Sequence, residues 1–445
     1  MLFTKALRLG PGRTVAFVGA GGKSTVLGCL ASEASLRFPV ILTTTTHLAL
    51  EQSNLAESHI VLKPDTDWDT VPSELKRHRS VLVTGQQMAE EPRWTSPGEI
   101  NLSRLHDLAQ QSGAALIVEA DGARGKPFKA PADHEPLVPN FTNTFVPVIG
   151  ASIFGRRLSD EWVHRPERVG DLLDLAEGGV LTPERVARVV GSRAGGLKGR
   201  PPMAEVRVLI NQVDSGDRRD PAMRCAKDLL GKDDVRAVLL GSASSEHLVH
   251  EVRGRVAGVV LAAGGSKRIG RPKLLEPWKG EPIIRYAVRG ALDGGLSPVV
   301  VVLGSSAAAM AQAIDDLPVT IELNNAWEAG QSTSLRLGLS AIRARSEAVV
   351  FLLGDMPLVK PDLIRRLVDR HASSLDPIVA PMAEGRRGNP VLFDRSTFDA
   401  LAQVRGDQGG RAIFDQFDVQ AVDADASGFF DLDTQEDVDR LQQKQ

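Results

Sequence analysis

Cysteine is nearly absent from this 445-residue chain: Cys29 and Cys225 are its only two. They lie far apart and make no CxxC pair, which excludes a zinc knuckle or a disulfide framework. Aromatic residues are scarce too, at 4% with a single Tyr, too few for the stacking platforms that hold single-stranded nucleic acid. Neither sign of charge dominates: 53 Lys and Arg against 56 Asp and Glu leave a formal net charge of −3. That balance rules out a basic nucleic-acid coat and supplies no polybasic tether for a membrane. No apolar run approaches the ~18 residues of a membrane helix, and residues 1–12 carry no sustained apolar stretch of the signal-peptide kind. The expectation is a soluble cytoplasmic protein with neither nucleic acid nor membrane as partner.

What is present reads as globular. Hydrophobic residues are 42% and charged residues 24%, too apolar for disorder. At about 150 residues per domain the length suits three domains or two large ones. One texture occurs twice: a short β-rich run, a Gly-rich loop, then a helical stretch. The first is Thr14 to Val18 leading into Gly19-Ala20-Gly21-Gly22-Lys23-Ser24-Thr25. The second is Val256 to Leu261 leading into Ala262-Ala263-Gly264-Gly265-Ser266. Further short, β-branched runs bounded by turn residues are 40–42, 81–84, 116–119, 206–210, 299–303 and 349–353. Strands alternating with helical segments predict parallel α/β sheets. Two glycine-loop starts predict two α/β domains, placed at 1–252 and 253–445. Their loops differ in kind, so the halves are not a repeat.

The first loop has the makings of a phosphate cradle. Gly19, Gly21 and Gly22 let backbone N–H groups turn toward phosphate oxygens, and the helix that follows adds its positive dipole end. In such a loop Lys23 faces the β- and γ-phosphates, and Ser24, with Thr25 beside it, offers a hydroxyl to Mg²⁺. The spacing is shorter than the standard G-x-x-x-x-G-K-[ST], since Phe17 stands where the first Gly belongs. The run Leu116 to Gly122 ends in Glu119 and Asp121, with Asp121 the better partner for Mg²⁺ or water. Asn211-Gln212-Val213-Asp214 reads as a guanine-reading turn or as an ordinary turn after a strand. The hydroxyls of Thr43 to Thr46 either contact phosphate or metal or cap a helix. The expected ligand is ATP or GTP with Mg²⁺.

The second loop carries different chemistry. It lacks G-K-[ST], and its small residues let the backbone close over a nucleoside triphosphate. Arg268 and Lys273 are spaced to neutralise the charge that builds on departing pyrophosphate. The apolar run Phe351 to Leu353 delivers Asp355 to the C-terminal end of a strand, where sheets bind ligands. Asp355 is thus the first metal candidate. Asp431 and Asp433 are expected in an extended strand, pointing the same way as second ligands, or else as acids before a helix cap at Thr434. Trp327 reads as a packing residue ahead of a ring for stacking.

Five segments in order give the N-terminal half its resemblance: the Gly19–Thr25 loop, Thr43 to Leu48, Val118 to Gly125, Lys129 to Pro136, and His164 to Glu167. They resemble the YqeC family, accessory proteins of selenium-dependent molybdenum hydroxylases. The roles of His134 and Glu135 in that motif are open. Over about 255–445, the loop, Asp355 and the later acids resemble the MobA-like nucleotidyltransferases and, in the Ala-Ala-Gly-x-Ser form, the MocA type. The resemblance implies a Rossmann-like, GT-A-like sheet and a molybdenum cofactor cytidylyltransferase. Such an enzyme joins CTP to a molybdopterin-type cofactor and releases pyrophosphate. It implies that Gly264, Arg268 and Lys273 bind nucleotide and that Asp355 holds Mg²⁺. A molybdenum hydroxylase apo-enzyme would be the client. The alternatives are a guanylyl or sugar-phosphate nucleotidyltransferase, or a non-catalytic module that delivers cofactor.

Overall fold

The structure, a computed structural model, describes residues 1–214, 216–243, 248–265 and 270–443. The chain divides into two compact units, Met1–Arg253 and Gly254–Gln445.

The first unit is built on a sheet with nine strands among the described residues. In spatial order they are Val249–Gly254, Val235–Gly241, Glu205–Asn211, Thr144–Gly150, Thr14–Gly19, Ala115–Glu119, Val40–Thr44, Ser80–Thr84 and Ser58–Val61. From Val235–Gly241 to Ser58–Val61 every described pairing is parallel. The central strands are buried along nearly their whole length, which is why they read as continuous apolar runs without alternation. One apolar cluster joins Val18, Ile149, Val208 and Ile210 to Val186 and Val190 of helix Pro183–Val190 and Ala222 and Leu229 of helix Gly216–Leu230. A second joins Ile41, Val81 and Leu116 to Leu75 of helix Thr70–Arg77 and Leu105 of helix Glu99–Ser112.

The second unit has a mixed sheet in the order Thr320–Leu323, Val299–Leu303, Val256–Ala262, Ala348–Leu353, Val391–Asp394, Ile378–Ala383, Arg386–Arg387, with Val419–Asp423 also paired to Ile378–Ala383. The first four strands are parallel, and Val391–Asp394 runs against Ala348–Leu353. Period-two alternation divides the core. Val260, Val301 and Val350 pack with Ile284, Val288, Ile364 and Leu367. Val259, Val300, Val302 and Val349 pack with Leu335, Leu339 and Ile342. Both units are α/β as expected. No helix among the described residues is long and apolar enough to cross a membrane.

In each unit the glycine loop leaves a strand flanked by parallel neighbours on both sides. The carboxyl ends of such strands open the crevice where α/β sheets take ligands.

Candidate functional site

In the second unit the strand Val256–Ala262 runs into Ala263, Gly264 and Gly265, which line a cavity of about 690 Å³. Two contacts fix the loop: Ser305 N–H donates to the Ala263 carbonyl at 3.1 Å, and Gly354 N–H donates to the Leu261 carbonyl at 3.0 Å. The wall at Gly304 must be glycine. A Cβ there would lie 2.8 Å from both the Ala263 oxygen and Trp327 Cβ.

Lys273 and Asp355 face each other at the cavity wall, Nζ to Oδ2 at 2.7 Å. Lys273 also donates to the Leu432 carbonyl, and Leu432 N–H donates to the Asp355 carbonyl at 3.3 Å. The segment around residue 432 is thereby stitched to the turn that carries Asp355. Asp433 lines the same cavity, whereas Asp431 lines a neighbouring one of about 570 Å³ with Arg411. Although its outer face is open to solvent, Asp431 is pushed up to about 6, first by loss of water around its carboxyl and then by the charges of Asp355 and Asp433. Among the described residues no group of three or more His, Cys, Asp or Glu side chains is gathered closely enough to hold a metal ion. The pair Asp355 and Asp433 still suits Mg²⁺ on a triphosphate, which keeps most of its waters and needs one or two carboxylates.

The far wall is made by two loops in close approach. Gly330 has φ +110°, and a Cβ there would lie 2.5 Å from the Gly406 carbonyl carbon and oxygen. Ser332 N–H donates to the Gly406 carbonyl at 3.2 Å, and Gln331 N–H to Asp407 Oδ1 at 3.3 Å. Asn324, buried, donates to Thr333 Oγ1 and Ser334 Oγ, both at 2.8 Å. This network sets the start of helix Gln331–Ile342 at the cavity.

In the first unit Gly19, Gly21 and Gly22 all have positive φ, at 91°, 87° and 94°. At Gly21 a Cβ would lie 2.2 Å from the Gly150 nitrogen, so only glycine lets the loop lie against the neighbouring strand. Lys23 is buried and donates to the Gly19 carbonyl at 2.6 Å. It pairs with Asp121 at 3.0 Å and lies 3.9 Å from Glu119. Burial alone would lower the Lys23 ammonium, but these carboxylates hold it above its ordinary value. Asp121 also accepts from Gly19 N–H at 2.9 Å and pairs with Lys129 at 3.1 Å. Lys129 reaches on to Glu135 at 2.7 Å, and Arg165 closes the chain on Glu135. Burial acts to raise Glu135, but Lys129, Ala132 N–H and Arg165 hold it down at about 2. Glu119 is pushed up to about 7, chiefly by burial.

The YqeC family model matches residues 15–167, and the MobA-like NTP transferase domain model matches 258–422. The chain is 35% identical over 200 residues to nicotine blue oxidoreductase of Paenarthrobacter nicotinovorans, covering 42% of this chain and 96% of that protein. It is 26% identical over 245 residues to the uncharacterized protein YqeC of Escherichia coli, covering 51% of this chain and 86% of that one. Among solved structures, Rv0371c of Mycobacterium tuberculosis is similar at 29% identity over 42% of this chain and 98% of that chain, with a TM-score of 0.39. The chain joins a YqeC domain to a MobA-like NTP transferase domain.

In the MobA-like domain, Ala262, Ala263, Gly264, Gly265, Lys273, Asp355 and Asp433 all line one cavity. Ser266 and Arg268 lie outside the described residues. Asp431 and Asp433 are not in a strand, and they line different cavities instead of pointing the same way. Thr434 caps helix Gln435–Gln443: its Oγ1 accepts from Asp437 N–H at 3.2 Å, and Asp437 Oδ2 accepts in return from Thr434 N–H at 2.8 Å. Trp327 is half-buried, packs against Gly304 and also lines the cavity.

In the YqeC domain, Lys23 does not project from its loop, because Asp121 and Glu119 draw it inward. Asp121 is engaged by two lysines and a backbone N–H. Ser24 Oγ accepts from the Gln52 amide, and Thr25 is exposed. In the Asn211 to Asp214 turn, the Asn211 side chain donates to the Gly21 carbonyl at 2.7 Å and accepts from Ala243 N–H at 3.0 Å, which ties the turn to the glycine loop, while Asp214 is exposed. Asn211 is a strut for the glycine loop. The threonines cap no helix: Thr43 and Thr44 bond to the Val83 and Glu119 carbonyls. Glu135, given no role by the sequence, is the hub between Lys129 and Arg165, while His134 is exposed. The only signal for that hub is the Lys129 to Pro136 motif itself.

Proposed function

We propose that the MobA-like domain is a cytidylyltransferase acting on a molybdopterin-type molybdenum cofactor. The cofactor's terminal phosphate attacks the α-phosphorus of CTP in line, a new P–O bond forms, and pyrophosphate leaves. The observation that carries this reading is the Lys273–Asp355 pair on the wall of the cavity lined by the Ala262–Gly265 loop. Lys273 would meet the phosphate charge, and Asp355 with Asp433 would hold Mg²⁺, whose chemistry is to neutralise the triphosphate. A triphosphate that draws Lys273 off Asp355 leaves that carboxylate free for the ion. The YqeC domain binds ATP or GTP at the Gly19–Lys23 loop and serves maturation of a molybdenum hydroxylase apo-enzyme, the client of the finished cofactor. CTP is favoured over GTP by the MocA-type form of the loop. Incubation with molybdenum cofactor and each of four nucleoside triphosphates tests the whole reading. Pyrophosphate release is expected with CTP foremost.

A second reading, an oxidoreductase, is favoured by the name of the Paenarthrobacter relative. It predicts no pyrophosphate release from any nucleoside triphosphate, so release with CTP in the same incubation would contradict it.

A further inference from the structure

Of the buried side-chain oxygens in the YqeC domain that have no hydrogen-bond partner among the described residues, two stand on adjoining strand ends. Glu119 ends the strand Ala115–Glu119 and is 7% exposed. Its Oε1 faces Lys23, and its Oε2 has no hydrogen-bond partner among the described residues. Thr45 follows the adjacent strand Val40–Thr44 and is also 7% exposed. Its N–H donates to the Glu119 carbonyl at 3.0 Å, while its Oγ1 has no partner among the described residues. Buried polar atoms are almost always bonded, and one left alone is costly. Two such atoms on adjoining strand ends, beside a glycine loop and the start of the 13-residue helix Lys23–Ser35, call for a polar ligand between them and a bound phosphate. The charge chain is arranged to let Lys23 go. When an anion draws Lys23 outward, Asp121 keeps Lys129 at 3.1 Å and Gly19 N–H at 2.9 Å, so Asp121 stays paired while Glu119 is released from its cation.

We infer that the YqeC domain is a nucleoside triphosphate hydrolase in which Glu119 and Thr45 hold the attacking water. This rests on the reading of the Gly19–Lys23 loop as a nucleotide site. The water oxygen bonds to the γ-phosphorus, and the bond from that phosphorus to the β–γ bridging oxygen breaks. The electron pair leaves with the nucleoside diphosphate, and the water's proton passes to the Glu119 carboxylate. Thr45 Oγ1 orients the water. The products are nucleoside diphosphate and inorganic phosphate, so this activity is separable by product from nucleotidyl transfer, which releases pyrophosphate.

The test uses the full chain with ATP or GTP and Mg²⁺, without molybdenum cofactor, and reads phosphate release beside calorimetric nucleotide binding. Wild type should release phosphate from at least one of the two. Glu119→Gln should bind that nucleotide within about threefold of wild type and lose about 10²-fold or more in phosphate release, the scale of a lost general base. Thr45→Val should also lose rate with binding kept, and it carries the test if Glu119→Gln fails to fold by circular dichroism. Wild type that binds nucleotide but releases no phosphate overturns the hydrolase and leaves the nucleotide site standing. Folded variants with wild-type release overturn the roles of Glu119 and Thr45. No binding of either nucleotide overturns both the hydrolase and the nucleotide site.

Discussion

Asp355 and Lys273 hold each other at 2.7 Å, so each is kept in place for a charged ligand by the other. Asp355→Asn preserves shape and removes the charge. The expected loss in nucleotidyl transfer is on the order of 10²-fold or more, with a shifted Mg²⁺ dependence, measured as pyrophosphate release against Mg²⁺ on protein shown to be folded by circular dichroism. A near wild-type rate would remove Asp355 from the chemistry. In the YqeC domain two carboxyls impose opposite pH dependences. Glu135 titrates at about 2 in the fold against an ordinary 4.5, so its contribution is full above 4.5 and is lost as pH falls from there toward 2. Glu119 titrates at about 7 against 4.5, so the fold holds a proton that the unfolded chain has released, and stability falls as pH rises from 4.5 to 7. Urea unfolding across pH should therefore lose its acid-side slope in Glu135→Gln and its slope between 4.5 and 7 in Glu119→Gln. Glu135→Gln also takes from buried Lys129 one of its two carboxylates, Asp121 remaining at 3.1 Å, and should destabilise by about 1–3 kcal/mol. A loss below about 1 kcal/mol would show that the ion-pair chain does not hold the domain. Asp355 and Lys273 were legible because each sits in a motif with a fixed chemistry. The inward turn of Lys23 was not, since it depends on Glu119 and Asp121 about a hundred residues away.

At the level of elements, the strands that were legible were the β-branched runs buried on both faces. The predicted runs at 40–42, 81–84, 116–119, 206–210, 299–303 and 349–353 all lie within observed strands. Thr144–Gly150 escaped because Pro147 argues against a central strand, yet it pairs in parallel on both sides, with Pro147 opposite Val18. Residues 430–433 failed in the other direction: alternation suggested a strand, but the segment follows Asp355 and Lys273 instead of a sheet neighbour. The approach of the 330 and 406 loops was invisible, since it joins residues far apart in sequence. Gly330→Ala tests it. The positive φ and a Cβ 2.5 Å from Gly406 backbone should cost about 1–3 kcal/mol and open the cavity wall, raising KM for the nucleotide more than it lowers kcat. An unchanged KM would show that the two loops do not shape the nucleotide site.

For the whole molecule, the scarcity of cysteine and aromatics and the near-balanced charge narrowed the classes of partner without naming one. The two glycine loops pointed to two α/β domains. Their difference in kind, one with G-K-S-T and one with Ala-Ala-Gly-Gly-Ser, separated the YqeC and MobA-like parts. The choice of base was legible only through resemblance, because no motif among the described residues identifies a side chain that reads cytosine. The central claim is therefore tested most directly by the transferred nucleotide itself. Full-length protein is incubated with molybdenum cofactor and an equimolar mixture of the four nucleoside triphosphates, and the cofactor product is identified by mass spectrometry beside the pyrophosphate released. The account predicts a cytosine dinucleotide cofactor as the main product, in one-to-one ratio with pyrophosphate. A guanine dinucleotide in equal or greater amount, or no nucleotide on the cofactor at all, would contradict it.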